Sequence, residues 1–74
     1  MNKMPKKFWE DRDWAFKNYS SLMNKYKNEW VAIVDKKVVA SGALGRVEEK
    51  AKKKTGRRHI PVLFIEGGGN VYKN

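Results

Sequence analysis

The sequence predicts a small α+β domain in which two helices pack with a three-stranded, mainly antiparallel sheet. Three observations carry this prediction. Two β-branched apolar runs within residues 30–42 are separated by a short polar break, which is typical of a β-hairpin. A helical apolar repeat precedes the hairpin, and a second helical repeat and a third apolar run follow it. A chain of 74 residues is sufficient for only one domain.

Composition limits the class of protein further. The chain contains no cysteine, which excludes disulfides, thiol nucleophiles and cysteine-based zinc sites. Its apolar runs are much shorter than the roughly 20 residues of a membrane-spanning helix, and the N-terminus lacks the apolar core of a secretory signal. We therefore expect a cytoplasmic protein that does not bind membranes. The net charge of +9 favours an acidic partner, although a merely soluble charged surface gives the same composition.

The first amphipathic helix is predicted over residues 11–27, where apolar side chains recur at intervals of three and four residues. Asp11 or Asp13 is expected to cap its N-terminus, and Asn28 to end it in a left-handed conformation. The lysine-rich residues 1–9 show no repeat and are predicted to form a flexible basic arm. The apolar positions of the helix are Ala15, Phe16, Tyr19, Leu22, Met23 and Tyr26.

The hairpin begins with a strand, residues 30–34, that is apolar on both faces, as central strands are. Its turn lacks glycine and asparagine, so Lys36 or Lys37 is expected to take a positive φ. The second helix follows the hairpin and ends at Thr55-Gly56, where glycine provides a left-handed stop. Its narrow apolar stripe consists of Leu44, Val47 and Ala51.

The third strand is predicted over residues 60–66, beginning near Pro61, which cannot donate to a sheet ladder. A right-handed crossover through the second helix makes this strand parallel to the second one. Placing it beside the first strand gives the order 2-1-3 with antiparallel neighbours. The alternative order 1-2-3 leaves the most apolar strand at an edge. Residues 10–66 thus form the single domain, and residues 67–74 form a glycine-rich tail.

The number of layers depends on which sheet faces the two helices cover. If the helices cover opposite faces, a monomer is sufficient to bury the apolar side chains of the sheet. If both helices cover one face, the other face leaves an apolar surface that marks an interface. We expect the two-layer arrangement, with a homodimer or a protein partner on the second face.

The segment from Tyr19 to Gly42 resembles a family of small uncharacterised prokaryotic domains. The resemblance rests on the aromatic-rich helix, the strand Trp30-Val31-Ala32-Ile33 and the strand Val38-Val39-Ala40-Ser41-Gly42, and it extends over residues 13–66. It departs from the family pattern at Lys36, where a turn glycine is expected, and at Gly45 within the second helix. The resemblance implies the same fold and assigns no activity or site.

Catalytic signals are weak. His59 has no second histidine or cysteine as a partner for a triad or metal site. Asp11 and Asp13 are possible acid–base or metal-binding carboxylates, but helix capping explains them more simply. We therefore expect no enzyme activity, no metal and no cofactor.

The basic run from Arg46 to Arg58 is the clearest functional signal, because it contributes +5 of the net charge. The leading hypothesis is a non-enzymatic interaction module that docks a protein, or a second copy, through a sheet face or edge. The alternative is DNA or RNA binding without sequence preference. A solvated charged helix also fits the pattern. The candidate anion-binding residues are Arg46, Lys50, Lys53, Lys54, Arg57 and Arg58.

Overall fold

The computed structural model describes residues 4–66, so the predicted tail 67–74 and the first three residues of the predicted arm lie outside the described residues. Within residues 4–66 the chain forms three helices and three strands, and the α+β class is confirmed. The elements are α1 (Lys6–Lys17), α2 (Tyr19–Tyr26), β1 (Glu29–Ile33), β2 (Val38–Gly42), α3 (Leu44–Thr55) and β3 (Val62–Ile65).

The strands form one sheet in the predicted order β2-β1-β3, and both neighbouring pairs are antiparallel. Val31 at the centre of β1 lies opposite Ser41 on one side and Leu63 on the other. The β1–β2 register shifts after Ala32, so Val39 is the additional residue of a β-bulge. The central position of β1 explains why its residues are apolar on both faces.

The single helix predicted over residues 11–27 is wrong, because α1 and α2 are separated at Asn18. The Asn18 backbone leaves the helical region, with φ −108° and ψ 20°. Its side-chain Nδ2 and its backbone N–H both donate to the Trp14 carbonyl, at 2.8 and 3.0 Å. Asparagine competes with regular helical bonding in this way. Phe16, which the sequence placed in the apolar stripe, is not among the buried residues of α1 and is exposed.

The predicted start of the first helix and its capping residues also need correction. The helix begins at Lys6, after Pro5, so residues 6–9 are helical and do not belong to an arm. A proline preceding the first turn favours this start because its φ is already restricted. Asp11 and Asp13 lie inside α1 and cap nothing.

The two-layer expectation is wrong as well, because helices cover both faces of the sheet. α1 and α2 pack on the face that carries Val31, Ile33 and Ile65. α3 packs on the opposite face, where Val47 and Ala51 form a second core cluster with Ala32. The helices that precede the hairpin and the helix of the crossover thus take opposite faces, which is the arrangement that makes a monomer sufficient.

The hairpin turn is built from two residues with positive φ, Asp35 at 53° and Lys36 at 59°. The expectation of a positive φ at Lys36 is confirmed, whereas Asp35 was not expected to share it. The buried carboxylate of Asp11 holds this turn: it accepts the N–H groups of Asp35 and Lys36 at 3.1 and 2.9 Å. These two hydrogen bonds to α1 thus hold the turn in a conformation that glycine normally provides.

Side chains protect both edges of the sheet. At β2, the Val39 bulge is bonded by Lys54, whose Nζ donates to the Val39 carbonyl at 3.1 Å. At β3, the Tyr19 hydroxyl accepts the Glu66 N–H at 3.0 Å and donates to the Phe64 carbonyl at 3.4 Å. Bulges, lysines and covered backbone groups all oppose the addition of another strand.

Candidate anion-binding surface

α3 presents a basic flank beside β2. Its residues Val47 and Ala51 are buried against the sheet. Because side chains three or four positions apart lie on the same side of a helix, Lys50, Lys53 and Lys54 project together, next to the buried stripe. This spacing aligns three cations along the edge of the sheet.

The three lysines line a shallow groove of about 510 Å³ between α3 and β2. The opposite wall consists of Val39, Ala40 and Ser41. These residues are half-buried, so the wall combines apolar side chains, one hydroxyl and strand backbone. Lys54 is oriented by its hydrogen bond to the bulge carbonyl of Val39. The groove is therefore cationic on one side and largely uncharged on the other.

A second groove, of about 540 Å³, continues the first towards the hairpin turn. Both grooves share Val39 and Lys54, and the second adds Lys37 and Arg57. Its one acidic lining residue, Asp35, is already paired with cations. We call the five residues Lys37, Lys50, Lys53, Lys54 and Arg57 the basic strip.

The end of α3 places Arg57 at the strip. Gly56 takes φ 73° and donates its N–H to the Lys52 carbonyl, as in a left-handed helix stop. The Thr55 hydroxyl then donates to the Ala51 carbonyl at 2.8 Å and accepts the Arg57 N–H at 3.2 Å. This local network turns the chain back towards the hairpin. The predicted stop at Thr55-Gly56 is confirmed.

Arg57 and Lys7 hold the carboxylate of Asp35 between them. Its Oδ1 lies 2.9 Å from the guanidinium of Arg57 and 3.6 Å from Nζ of Lys7. Desolvation raises the pKa of Asp35, but the hydrogen bond and charge of Arg57, followed by the charge of Lys7, outweigh it and keep that pKa below its ordinary value of 3.8. Asp35 is therefore a stable anion that joins α1, the hairpin turn and the end of α3.

The structure brings together four of the six candidate residues of the sequence: Lys50, Lys53, Lys54 and Arg57. Arg46 and Arg58 are exposed and line neither groove. Sequence reasoning missed Lys37, since its approach to Arg57 depends on how α3 packs on the sheet. In the sequence, the only indication was that Lys37 lies in the hairpin turn, directly before the strand that leads into α3.

The residues weighed for catalysis do not converge. Asp11 is 3% exposed and both of its carboxylate oxygens bond the hairpin turn. Asp13 is exposed and lines a separate depression with Trp14 and Lys17, and His59 is exposed between α3 and β3. Within residues 4–66, no three His, Cys, Asp or Glu side chains are grouped closely enough to hold a metal ion. No helix in this part of the chain is long and apolar enough to span a membrane.

Comparison with known proteins adds a family but no function. Residues 21–67 match the model of a family described as a family of unknown function, DUF5678. The match includes β1, β2, α3 and β3, and with them the whole basic strip, whereas α1 precedes it. No curated protein and no solved structure matches the chain.

Proposed function

The chain belongs to the family of unknown function DUF5678, and we propose that it binds nucleic acid without sequence preference through the basic strip. One observation carries this proposal: α3 and the hairpin bring Lys37, Lys50, Lys53, Lys54 and Arg57 to two grooves that share a wall. Adjacent cations along a groove neutralise successive phosphates and release their counterions, which is the main source of non-specific affinity.

The composition of the strip supports recognition of the backbone rather than of bases. Four of its five residues are lysines, whose ammonium groups act as point charges without the planar geometry that reads a base edge. Arg57, the one arginine, is already held by Asp35 at 2.9 Å. Lysine contacts of this kind position a nucleic acid and carry no sequence information.

Docking of a protein on the sheet, the leading hypothesis from the sequence, has less support. It requires an open apolar face or an open edge. Both faces carry helices, and the Val39 bulge with Lys54 and the Tyr19 hydroxyl obstruct the two edges. The alternative hypothesis therefore becomes the proposal.

We propose a binding role without catalysis. The buried carboxylate of Asp11 already has a structural function in the hairpin turn. The residues of the strip are cations, and the carboxylate beside them, Asp35, is engaged by Lys7 and Arg57. This arrangement suits electrostatic binding better than acid–base chemistry.

The test compares two variants with equal loss of charge. The strip variant carries Lys50→Gln, Lys53→Gln and Lys54→Gln. The control variant carries Lys6→Gln, Lys27→Gln and Lys52→Gln, which are exposed and line neither groove. Fluorescence anisotropy with labelled random-sequence DNA and RNA at low salt reports the affinity.

We expect the strip variant to lose about tenfold or more in affinity and the control at most about threefold, because only the strip contacts phosphates directly. Equal losses in both variants contradict the proposal, since net charge alone then explains binding. Absence of binding by the unmodified protein at low salt also contradicts it.

A further inference from the structure

α1 exposes a cluster of aromatic side chains around an arginine. Trp9 and Phe16 are 47% and 50% exposed, the two highest values among the exposed large apolar residues of the described chain. The guanidinium of Arg12 lies 4.8 Å from the ring centroid of Phe16 and 5.7 Å from that of Trp9. Phe8 packs edge-on against Trp9 at 5.0 Å. We call Trp9, Arg12 and Phe16 the aromatic cluster.

The cluster has no role in the core of the domain. α1 packs on the sheet through Ala15 and the half-buried Trp14, and through the buried Asp11 it holds the hairpin turn. Trp9 and Phe16 are seven residues apart, with Arg12 between them, so all three share one side of the helix. Two large aromatic rings held beside a cation and open to solvent are a surface on which another π-system can stack.

The charges near the cluster indicate what kind of π-system this is. Asp13, four residues after Trp9, borders the cluster, but the depression that it lines with Glu10 also contains Lys17 and Lys36, which balance the two acidic charges. The cluster itself carries the positive charge of Arg12. Lys7, two residues before Trp9, lies 3.6 Å from Asp35, which also binds Arg57 of the basic strip. The first turn of α1 therefore adjoins one end of the strip through Lys7. Trp9 lies about 200° around the helix from Lys7, so a polyanion that leaves the strip must pass around α1 to reach the cluster.

From this arrangement we infer that the aromatic cluster stacks unpaired bases, so that the ligand of the protein is single-stranded nucleic acid. The inference rests on the proposed nucleic-acid binding and specifies its ligand. Phosphates lie along the basic strip, while bases that leave the strip stack on Trp9 and Phe16. Stacking tolerates every base because each has a π-face. A duplex keeps its bases paired inside and contacts the lysines only.

Trp9→Ala combined with Phe16→Ala tests the inference without loss of the fold, because both side chains are exposed and alanine favours helix. A matched variant, Trp9→Phe with Phe16→Trp, keeps an aromatic ring at both positions. Circular dichroism confirms that each variant is folded. The probes are a mixed-sequence 15-nucleotide single strand and the duplex of the same sequence.

We expect the double-alanine variant to bind the single strand about tenfold or more weakly, which is the scale of losing stacked bases, and the duplex within twofold of the unmodified protein. The ring-retaining variant should bind both probes nearly as well as the unmodified protein. Quenching of tryptophan fluorescence by the single strand should decrease in the double-alanine variant.

Equal affinity of the double-alanine variant and the unmodified protein for the single strand overturns the inference. So does equal loss for single strand and duplex. If either result is found while the strip variant binds both probes more weakly than the unmodified protein, the proposed function survives and only the choice of ligand fails. Binding to vesicles of anionic phospholipid that requires Trp9 and Phe16, without binding of the single strand, overturns the inference in favour of a lipid surface.

Discussion

Removal of the Asp11 carboxylate is the most informative perturbation of the fold. Its two oxygens accept the N–H groups of Asp35 and Lys36 at 3.1 and 2.9 Å, and the residue is 3% exposed. A hydrogen bond to a charged group contributes about 1.5–3 kcal/mol. Because both donors lie in an exposed turn and regain water in the variant, the lower half of that range applies. We therefore predict that Asp11→Ala lowers the free energy of unfolding by about 3 kcal/mol.

This loss is large relative to the roughly 4–11 kcal/mol expected for a domain of this size. Urea denaturation followed by tryptophan fluorescence measures it directly. Asp11→Asn keeps one acceptor oxygen and should lose about half as much. Asp13→Ala is the matched control, since Asp13 is exposed on the same helix, and its effect should stay within about 0.5 kcal/mol. An Asp11→Ala effect equal to that of Asp13→Ala refutes the role assigned to the carboxylate.

Three further predictions concern the turn and the end of α3. Lys36→Gly should raise the free energy of unfolding by about 0.5–1 kcal/mol in the same assay, because Lys36 has φ 59° and glycine takes this conformation without steric cost. Gly56→Ala should lower it by about 1 kcal/mol; Gly56 has φ 73° and no atom lies within 4 Å of an added Cβ, so the cost is conformational alone. A decrease with glycine at position 36, or no change with alanine at position 56, contradicts these assignments. Arg57 and Lys7 lower the pKa of Asp35 in the folded state. This pairing therefore stabilises the fold at pH values above 3.8, the ordinary pKa of the group, and the stabilisation is lost as the pH falls below that value. Urea titrations between pH 2 and 6 should therefore show a smaller acid-induced loss in Asp35→Asn than in the unmodified protein, and identical pH profiles argue against the pairing.

The sheet was predictable because its signals are local. Two β-branched runs around a short polar break indicated the hairpin, and the doubly apolar first strand indicated its central position. The handedness of the crossover then limited the place of β3. The order β2-β1-β3 and the left-handed residues Asn28 and Gly56 agree with that reasoning.

The helical layers were less predictable because the apolar repeat does not reveal a break or a packing direction. The stripe from Ala15 to Tyr26 remains apolar across Asn18, although the backbone turns there. The same stripe also fits either sheet face, so α1 and α2 were not assigned to the face opposite α3. The physical difference lies in long-range packing, which periodicity alone does not contain.

The functional surface shows the same division between local and long-range information. The helical spacing of Lys50, Lys53 and Lys54 is sufficient by itself to indicate a shared cationic side. Lys37 joins them only through the packing of α3 beside β2. Asp11 has the sequence position of a helix cap, but its partners are 24 and 25 residues away in the hairpin turn.

The salt dependence of nucleic-acid affinity shows whether the basic strip binds phosphates. The slope of log affinity against log salt concentration counts the phosphates that a protein neutralises, at about 0.9 per contact for duplex DNA. The unmodified protein and the variant with Lys50→Gln, Lys53→Gln and Lys54→Gln are titrated with the same duplex at four salt concentrations. If the basic strip binds phosphates, the slope of the variant is shallower by about 2 to 3. Equal slopes for the two proteins contradict phosphate binding by the basic strip.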